Sequence, residues 1–380
     1  MKINNRTAIV GGYVRDMLLG ISNQDLDLIT EHSLEEGLKK ITDNFSVEKL
    51  NFHPEFKTAS IKIKNWPFPL DLVTARKEHY DSPGSLPTVI FPATLEEDLK
   101  RRDFSINAMA FEIIGSNFKI LDPYNGYNDL QNRVIRVLHD RSFQDDPTRI
   151  LRGIRFAARL KFKFEKETEK LLIKEIFKNG FSTISNERFW QEIFSILAEQ
   201  NFLEALKLLR KYRIFKFRKQ TEVKLKRAQK FFHLLEGLNL NRSYLILTFL
   251  FDGKNGYTSL NISQKFLSTL LWSSKREKEI LQSLKKANKN SEIYLLLENL
   301  SPYFIFHLLV EAKPKIRRKI KKYLFFLKSL PAIIDGKTLI RQGIVPNESF
   351  KNILKKAYLT QLDMKNPTIE KIIKELKLYE

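Results

Sequence analysis

Residues Thr7 to Thr30 read TAIVGGYVRDMLLGISNQDLDLIT. The stretch predicts a short apolar strand from Ala8 to Val10, a Gly11-Gly12 turn, a helix beginning near Val14, and a second strand carrying Asp25 and Asp27. Strand side chains alternate with period two, so the two carboxylates project from one face, roughly 6–7 Å apart. We expect that strand at an exposed sheet edge, where such a pair suits a divalent cation. Asp-x-Asp also forms ordinary turns, so the glycines upstream carry weight. A Gly-Gly turn lets backbone N–H groups approach a ligand and feeds a helix start suited to phosphate, with Arg15 in its first turn. Phosphate cradle and metal carboxylates in one stretch point to nucleotide chemistry.

The rest of the chain sets limits on that chemistry. Its 380 residues suffice for two or three domains with real cores, and 43% apolar content is ordinary for a globular protein. The absence of cysteine excludes disulfides, thiolate zinc sites and cysteine nucleophiles, and fits a reducing cytoplasm. The six histidines show no metal-ligand spacing, so a metal must rest on carboxylates. No apolar run is long enough to span a membrane, and no signal-peptide core opens the chain. Because the first strand starts so early, we expect a module whose relatives carry something before it.

Charge is unevenly distributed. Residues 1–200 are balanced, with 29 Lys+Arg and 29 Asp+Glu, whereas residues 201–330 hold 28 against 9. Most of the net +22 therefore sits in one segment, which attracts polyanions, nucleic acid above all.

Outward from the opening stretch, Ser33 caps a helix over Leu34 to Phe45, followed by strands at Phe45 to Leu50, Thr58 to Ile63 and Phe68 to Thr74. The last brings Asp71 to the sheet, as a third metal ligand or a plain surface position. Ala75 to Leu95, rich in proline and charge, reads as a long loop. In EEDLKRRDFSINAMAF, Glu96 to Phe111, a helix over 103–110 would place Asp103 and Asn107 one turn apart. Within DDPTRILRGIRFAARLKF a helix runs from about Asp146 to Leu160, capped by Asp145 or Asp146 with Pro147 in its first turn. Arg149, Arg152, Arg155 and Arg159 stripe one side of it. They either line an anionic site or hold carboxylates of the neighbouring domain. Beyond Phe164 the chain reads as helix, with breaks at Asp252-Gly253, Pro302, Pro314 and Pro331.

GGYVRDMLLG with DLDL, then RRDFSINAMA, DPYNGYNDL and DDPTRILRGIRFAARL, resemble the class II tRNA nucleotidyltransferases: the CCA-adding enzymes and their bacterial poly(A) polymerase relatives. The resemblance spans roughly residues 8 to 192. It implies an α+β protein: a polymerase-beta-like nucleotidyltransferase head with a mixed sheet at 1–140, a helical neck with the nucleotide-selecting helix at 141–200, and a basic helical body and tail at 201–380. It implies a Mg²⁺-dependent, two-metal enzyme of the cytoplasm. Such an enzyme adds C and/or A from CTP and ATP to the tRNA 3′-hydroxyl without a nucleic-acid template. The body and tail would hold the acceptor and TΨC arms, as their positive charge independently suggests.

Residue by residue, the resemblance assigns Asp25 and Asp27 to metal binding and catalysis, with Asp71 a further candidate ligand. Gly11, Gly12 and Arg15 match the triphosphate segment, and Arg102, Asp103 and Asn107 the ribose-binding motif. Asp145, Asp146 and Arg149 match the base-selecting template, and Arg152 and Arg155 a phosphate or neck role. The template is chemically sound: a carboxylate accepts from the exocyclic amine shared by cytosine and adenine, and a guanidinium donates to the adjacent ring nitrogen. One departure is Asp145, where most of the family has Glu. Glu187, Arg188 and Glu192 resemble the last motif, which stabilises the neck, and residues 336–354 resemble the tail. Addition of the terminal A alone is an alternative, favoured by the long 75–95 loop. Poly(A) polymerase ranks lower, because FHPEFKTASIKI stands where such enzymes carry a Gly-Arg-Arg-Phe-type segment. A non-catalytic RNA-binding module is disfavoured by the intact motifs.

Overall fold

The computed structural model describes residues 6–31, 33–54, 57–178, 180–215, 217, 219–251, 268–344, 346 and 348–376. They fall into two units, Met1–Lys216 and Phe217–Glu380. The predicted break at Asp252-Gly253 lies outside the described residues.

In the first unit, β1 (Thr7–Val10), β2 (Leu26–Thr30), β3 (Val47–His53), β4 (Thr58–Ile63), β5 (Leu70–Thr74), β8 (Ala110–Ile114) and β9 (Asn117–Leu121) form a seven-stranded mixed sheet. Its order is β3-β4-β5-β2-β1-β8-β9, with β2 and β5 parallel and every other pair antiparallel. The expectation that the Asp25–Asp27 strand lies at an edge is therefore corrected. β2 lies inside the sheet between β1 and β5, and what is exposed is its N-terminal end, where Asp25 precedes the first paired residue.

Period-two alternation sorts the strand residues. Leu26 and Leu28 of β2 and Leu70 and Leu72 of β5 pack with Leu34 and Ile41 of α2 (Leu34–Asn44). Ser33 caps that helix by accepting from the Glu36 N–H at 3.2 Å, as its sequence predicts. The intervening residues Asp27 and Asp71 face the other way and are register partners.

Two further expectations are corrected. Residues 75–95 are not a structureless loop: β6 (Lys77–His79) and β7 (Thr88–Ile90) pair as an antiparallel ribbon. Each strand has only three residues, too few for a clear alternation signal among the prolines. Residues 103–110 are not an α-helix either. α3 (Leu95–Lys100) ends, Phe104 is extended, a single 3₁₀ turn spans Ser105–Asn107, and β8 follows. The strand pairing of Ala110 with Val10 takes precedence over local helix propensity.

Downstream come α4 (Gly126–Gln131), β10 (Val134–Ile135), α5 (Ser142–Asp145), α6 (Thr148–Leu160), β11 (Lys163–Phe164), α7 (Lys166–Lys178), α8 (Asn186–Ala198) and α9 (Phe202–Lys211). α6 buries Ile150, Leu151, Ile154, Phe156 and Ala157. Its Gly153 permits close approach, because a Cβ there would lie 2.8 Å from Phe164 and 2.9 Å from Phe104.

Among the described residues of the second unit, the regular elements are all helices. Pro302 and Pro314 start helices, Pro302–Glu311 and Pro314–Phe325, where a missing N–H does no harm. The first of these is almost wholly buried, with Phe304 stacked on Trp272 and His307 on Phe249. Near the C-terminus Ile334, Leu339, Ala357, Ile372 and Ile373 form a separate cluster. Among the described residues, no helix is long and apolar enough to cross a membrane.

Candidate active site

A cavity of about 700 Å³ opens in the first unit over the N-terminal end of β2. Its walls include Gly11, Gly12, Arg15, Asp25, Asp27, Arg102, Asp103, Asn107, Asp146, Arg149, Arg152 and Arg155, gathering most of the residues singled out from sequence.

At its floor lie Asp25 and Asp27, and with Asp71 beside them each offers a carboxylate oxygen, all within 4.8 Å of one another. Like charges at partnered sheet positions are destabilising. Burial, then the neighbouring Asp25, pushes the Asp27 carboxyl up to about 6, with Arg102 opposing and Asp71 adding to the rise. Three hard oxygen donors left in mutual repulsion fit a divalent cation, which would relieve that repulsion. Gly11 sits beside them with φ of +75°, and a Cβ there would meet Arg102 Nη1 at 2.7 Å. The positive φ is a backbone state that favours glycine.

Arg15 is buried. Its Nε donates to Asp16 at 2.7 Å and its Nη1 to the Asn107 side-chain oxygen at 2.7 Å. Asn107 in turn donates to Asp103 Oδ1 at 2.9 Å, so the predicted pairing of these two residues occurs although the α-helix does not. Asp103 Oδ1 also accepts from the Phe104 N–H at 2.9 Å, and Oδ2 accepts Arg152 Nε at 2.9 Å and Nη2 at 2.7 Å. Burial works to raise this carboxyl, yet Arg152 and the Asn107 hydrogen bond outweigh it and hold it below its ordinary value. With four donors already in place, a ribose hydroxyl reaches Asp103 only by replacing one of them. Arg102 is less committed. It donates to Asp98 at 3.2 Å, while its buried Nε takes no partner among the described residues.

The arginine stripe faces the cavity and also meets carboxylates. Arg149, Arg152, Arg155 and Arg159 all line the cavity, and three of them also hold carboxylates: Arg152 binds Asp103, Arg155 lies 4.0 Å from Glu192, and Arg159 lies 3.6 Å from Asp16. Arg149 is buried, donating to the Arg101 carbonyl and Ser142 Oγ at 2.8 Å each and to Tyr80 at 3.4 Å.

At the start of α6, Asp146 Oδ1 accepts from the Thr148 N–H at 3.0 Å, Thr148 Oγ1 at 2.7 Å and Arg188 Nη2 at 2.9 Å. Asp146 therefore caps the helix, and its Oδ2 takes no hydrogen bond among the described residues. Asp145 does not line the cavity. Its carboxylate lies 3.6 Å from Arg141, and its carbonyl accepts from the Gly84 N–H at 3.1 Å.

Several wall residues escaped the sequence reading, Glu78 and Tyr80 among them. Glu78 joins Arg76 at 3.3 Å to Arg101 at 2.9 Å, and Tyr80 lies against Arg149, its phenol pushed up to about 12, mainly by burial. Residues 77–79 facing 88–90 across a Ser-Pro-Gly-Ser turn were the available signal.

The family described as Poly A polymerase head domain matches residues 7–136. An A-adding tRNA nucleotidyltransferase of Halalkalibacterium halodurans is 31% identical over 372 residues, covering 93% of this chain and 84% of its own. The chain belongs to the class II tRNA nucleotidyltransferase family. Another relative, the A-adding tRNA nucleotidyltransferase of Aquifex aeolicus, is 38% identical over 349 residues, 86% of this chain but only 41% of its own length. The chain thus spans under half of that family member. A solved Thermotoga maritima CCA-adding enzyme complexed with tRNA matches with TM-score 0.78 at 28% identity, covering 100% of this chain and 92% of the other.

Proposed function

We propose that the protein is a template-independent tRNA 3′-end nucleotidyltransferase, adding C and/or A from CTP or ATP and releasing pyrophosphate. The carrying observation is that one cavity is lined by Asp25 and Asp27, with Asp71 beside them, together with Asp146 and Arg149. Chemistry and selection of the base are thereby served in one place.

Asp25, Asp27 and Asp71 would hold Mg²⁺, which when bound supplies Lewis-acid stabilisation of charge on the phosphates. The Gly11-Gly12 turn and Arg102 bind the triphosphate, Gly11 giving the backbone room and Arg102 donating from its free nitrogens. Arg15 acts behind them by bracing Asn107. Asp103, Asn107 and Arg102 receive the ribose, with Arg152 giving way at Asp103. Asp146 Oδ2, the open acceptor, takes the exocyclic amine of cytosine or adenine. Arg149 retains two of its five N–H donors for the adjacent ring nitrogen. Uracil and guanine present the opposite pattern and are refused. The tRNA 3′-hydroxyl then displaces pyrophosphate from the α-phosphate. Arg155 favours anion entry, Asp145 supports the template from outside the cavity, and the body and tail hold the acceptor and TΨC arms. The cytoplasm is the compartment this reading implies.

Addition of the terminal A alone is the second reading, supported by the names of the Aquifex and Halalkalibacterium relatives. Transcripts ending before CCA, after C and after CC, each incubated with labelled CTP or ATP, separate the readings. Label entering only the transcript ending in CC, from ATP, selects the A-adding reading. Unlimited A tails on arbitrary RNA would overturn both in favour of a poly(A) polymerase.

A further inference from the structure

Asp25 stands just outside the sheet that its strand belongs to. β2 pairs with β5 from Leu26 onward and with β1 from Asp27 onward, so Asp25 has no register partner in either neighbouring strand. Its N–H donates instead to the side-chain oxygen of Asn23 at 2.9 Å, closing a turn two residues before it. The same amide donates from Nδ2 to Asp16 Oδ2 at 2.8 Å. Asp16 lies on the helix Gly12–Leu18 and is fully buried. Arg15 holds its other oxygen, with Nε and Nη2 both at 2.7 Å, and Arg159 of α6 approaches Oδ2 at 3.6 Å.

These partners fix the amide's orientation, because the Asp25 N–H can only donate and the Asp16 carboxylate can only accept. Asn23 also lines the active cavity, where a Cβ on Gly12 would lie 3.7 Å from its Nδ2. One side chain thus joins the Gly11-Gly12 turn, the buried Arg15–Asp16 pair and the backbone of Asp25. Among the three carboxylates, Asp25 is the exposed one, whereas Asp27 and Asp71 are half-buried and paired with each other in register. Like charges held this close repel. Without a strand partner, Asp25 is the member that could swing away, and the link to Asp16 opposes that movement.

We propose that Asn23 is a positioning residue for divalent-cation binding: it ties the backbone of Asp25 to Asp16 and so keeps the exposed carboxylate beside Asp27 and Asp71. The inference rests on the metal-binding role given to those three residues above. Asn23 acts through Asp25, since its oxygen faces the Asp25 N–H and its nitrogen the Asp16 carboxylate. Aspartate cannot replace it, because a carboxylate has no N–H to offer Asp16 and adds a like charge beside it.

The probe is Mn²⁺, with its binding to the full chain followed by electron paramagnetic resonance in the absence of nucleotide. Alongside it, nucleotide incorporation into a tRNA transcript is titrated with Mg²⁺, and melting in EDTA checks folding. Asn23→Ala is expected to weaken Mn²⁺ binding by about tenfold, the low end for a residue supporting a metal ligand. The Mg²⁺ midpoint should rise by a similar factor, while kcat at saturating Mg²⁺ stays near the wild-type value. Asn23→Ser keeps a hydroxyl for the Asp25 N–H but has no amide nitrogen to reach Asp16, and is expected to lose as much. Unchanged Mn²⁺ affinity in Asn23→Ala would overturn the inference, as would a kcat lost at saturating Mg²⁺ with the midpoint unmoved. Wild-type affinity in Asn23→Ser would overturn the tie through Asp16. Asp25→Ala tests the underlying reading separately: if it leaves Mn²⁺ binding intact, the carboxylates are not the metal site and this inference falls with that reading. Should Asn23→Ala not fold, the affinity of Asn23→Ser decides.

Discussion

Asp25 and Asp103 occupy the same cavity in opposite electrostatic situations. Asp25 helps keep an unrelieved acidic cluster, whereas Asp103 is saturated by donors. Asp25→Ala should abolish nucleotide incorporation while leaving tRNA affinity in a filter-binding assay unchanged; equal loss of both would mark the residue as structural. Asp103→Asn should act on stability as well as on ribose binding. It removes the carboxylate charge that binds Arg152 Nη2 at 2.7 Å and leaves only Glu192, at 3.7 Å, where Arg152 is 35% exposed. The cost should be about 3 kcal/mol, the low end for breaking a buried pair. The sign with pH follows from the lowered carboxyl: its stabilisation is complete above the unfolded value of about 4 and is lost as pH falls through the folded value. Urea unfolding of wild type and variant should therefore differ fully at neutral pH and converge in acid. A constant difference across that range would show that the pair contributes packing only.

At the scale of elements, α6 is held against the sheet by a close approach at Gly153. Alanine there gains about 1 kcal/mol of helix propensity. Against this, its methyl would lie within 3 Å of two phenyl rings, and overpacking costs about 1–3 kcal/mol. The clash should win, so Gly153→Ala is expected to lower the urea midpoint; a raised midpoint would show that the rings move aside. The same helix shows how much the sequence discloses. Pro147, the apolar positions and the arginine stripe fixed its extent to within two residues, because those signals are local. The ribbon at 77–90 was missed because three-residue strands carry almost no alternation, and their pairing is a contact between distant residues. The 103–110 segment misled for a related reason, since its helical spacing yields to pairing with β1.

For the molecule as a whole, the excess positive charge belongs largely to residues of the second unit. On the helix Pro314–Phe325, Lys315, Arg318 and Lys322 are exposed at i, i+3 and i+7 and so share one face. Replacing all three by glutamine should weaken tRNA binding and reduce the slope of log affinity against log salt by up to about 0.9 per lost phosphate contact. An unchanged slope would show that this face serves solubility alone.

By itself, the sequence determined the order of the motifs, the Ser33 cap, and the long helix near Asp146 to Leu160 with an aspartate, Asp145 or Asp146, at its start. All of these follow from backbone geometry over a few consecutive residues. Only the tertiary structure decided that Asp71 stands beside Asp27, that β2 runs inside the sheet, that Asp145 lies outside the cavity, and that Asp103 is already filled. It alone revealed the tie from Gly84 through Arg188 to Asp146, contacts spanning 104 and 42 residues of chain. Such contacts depend on how separate elements pack, and spacing along the chain does not specify them.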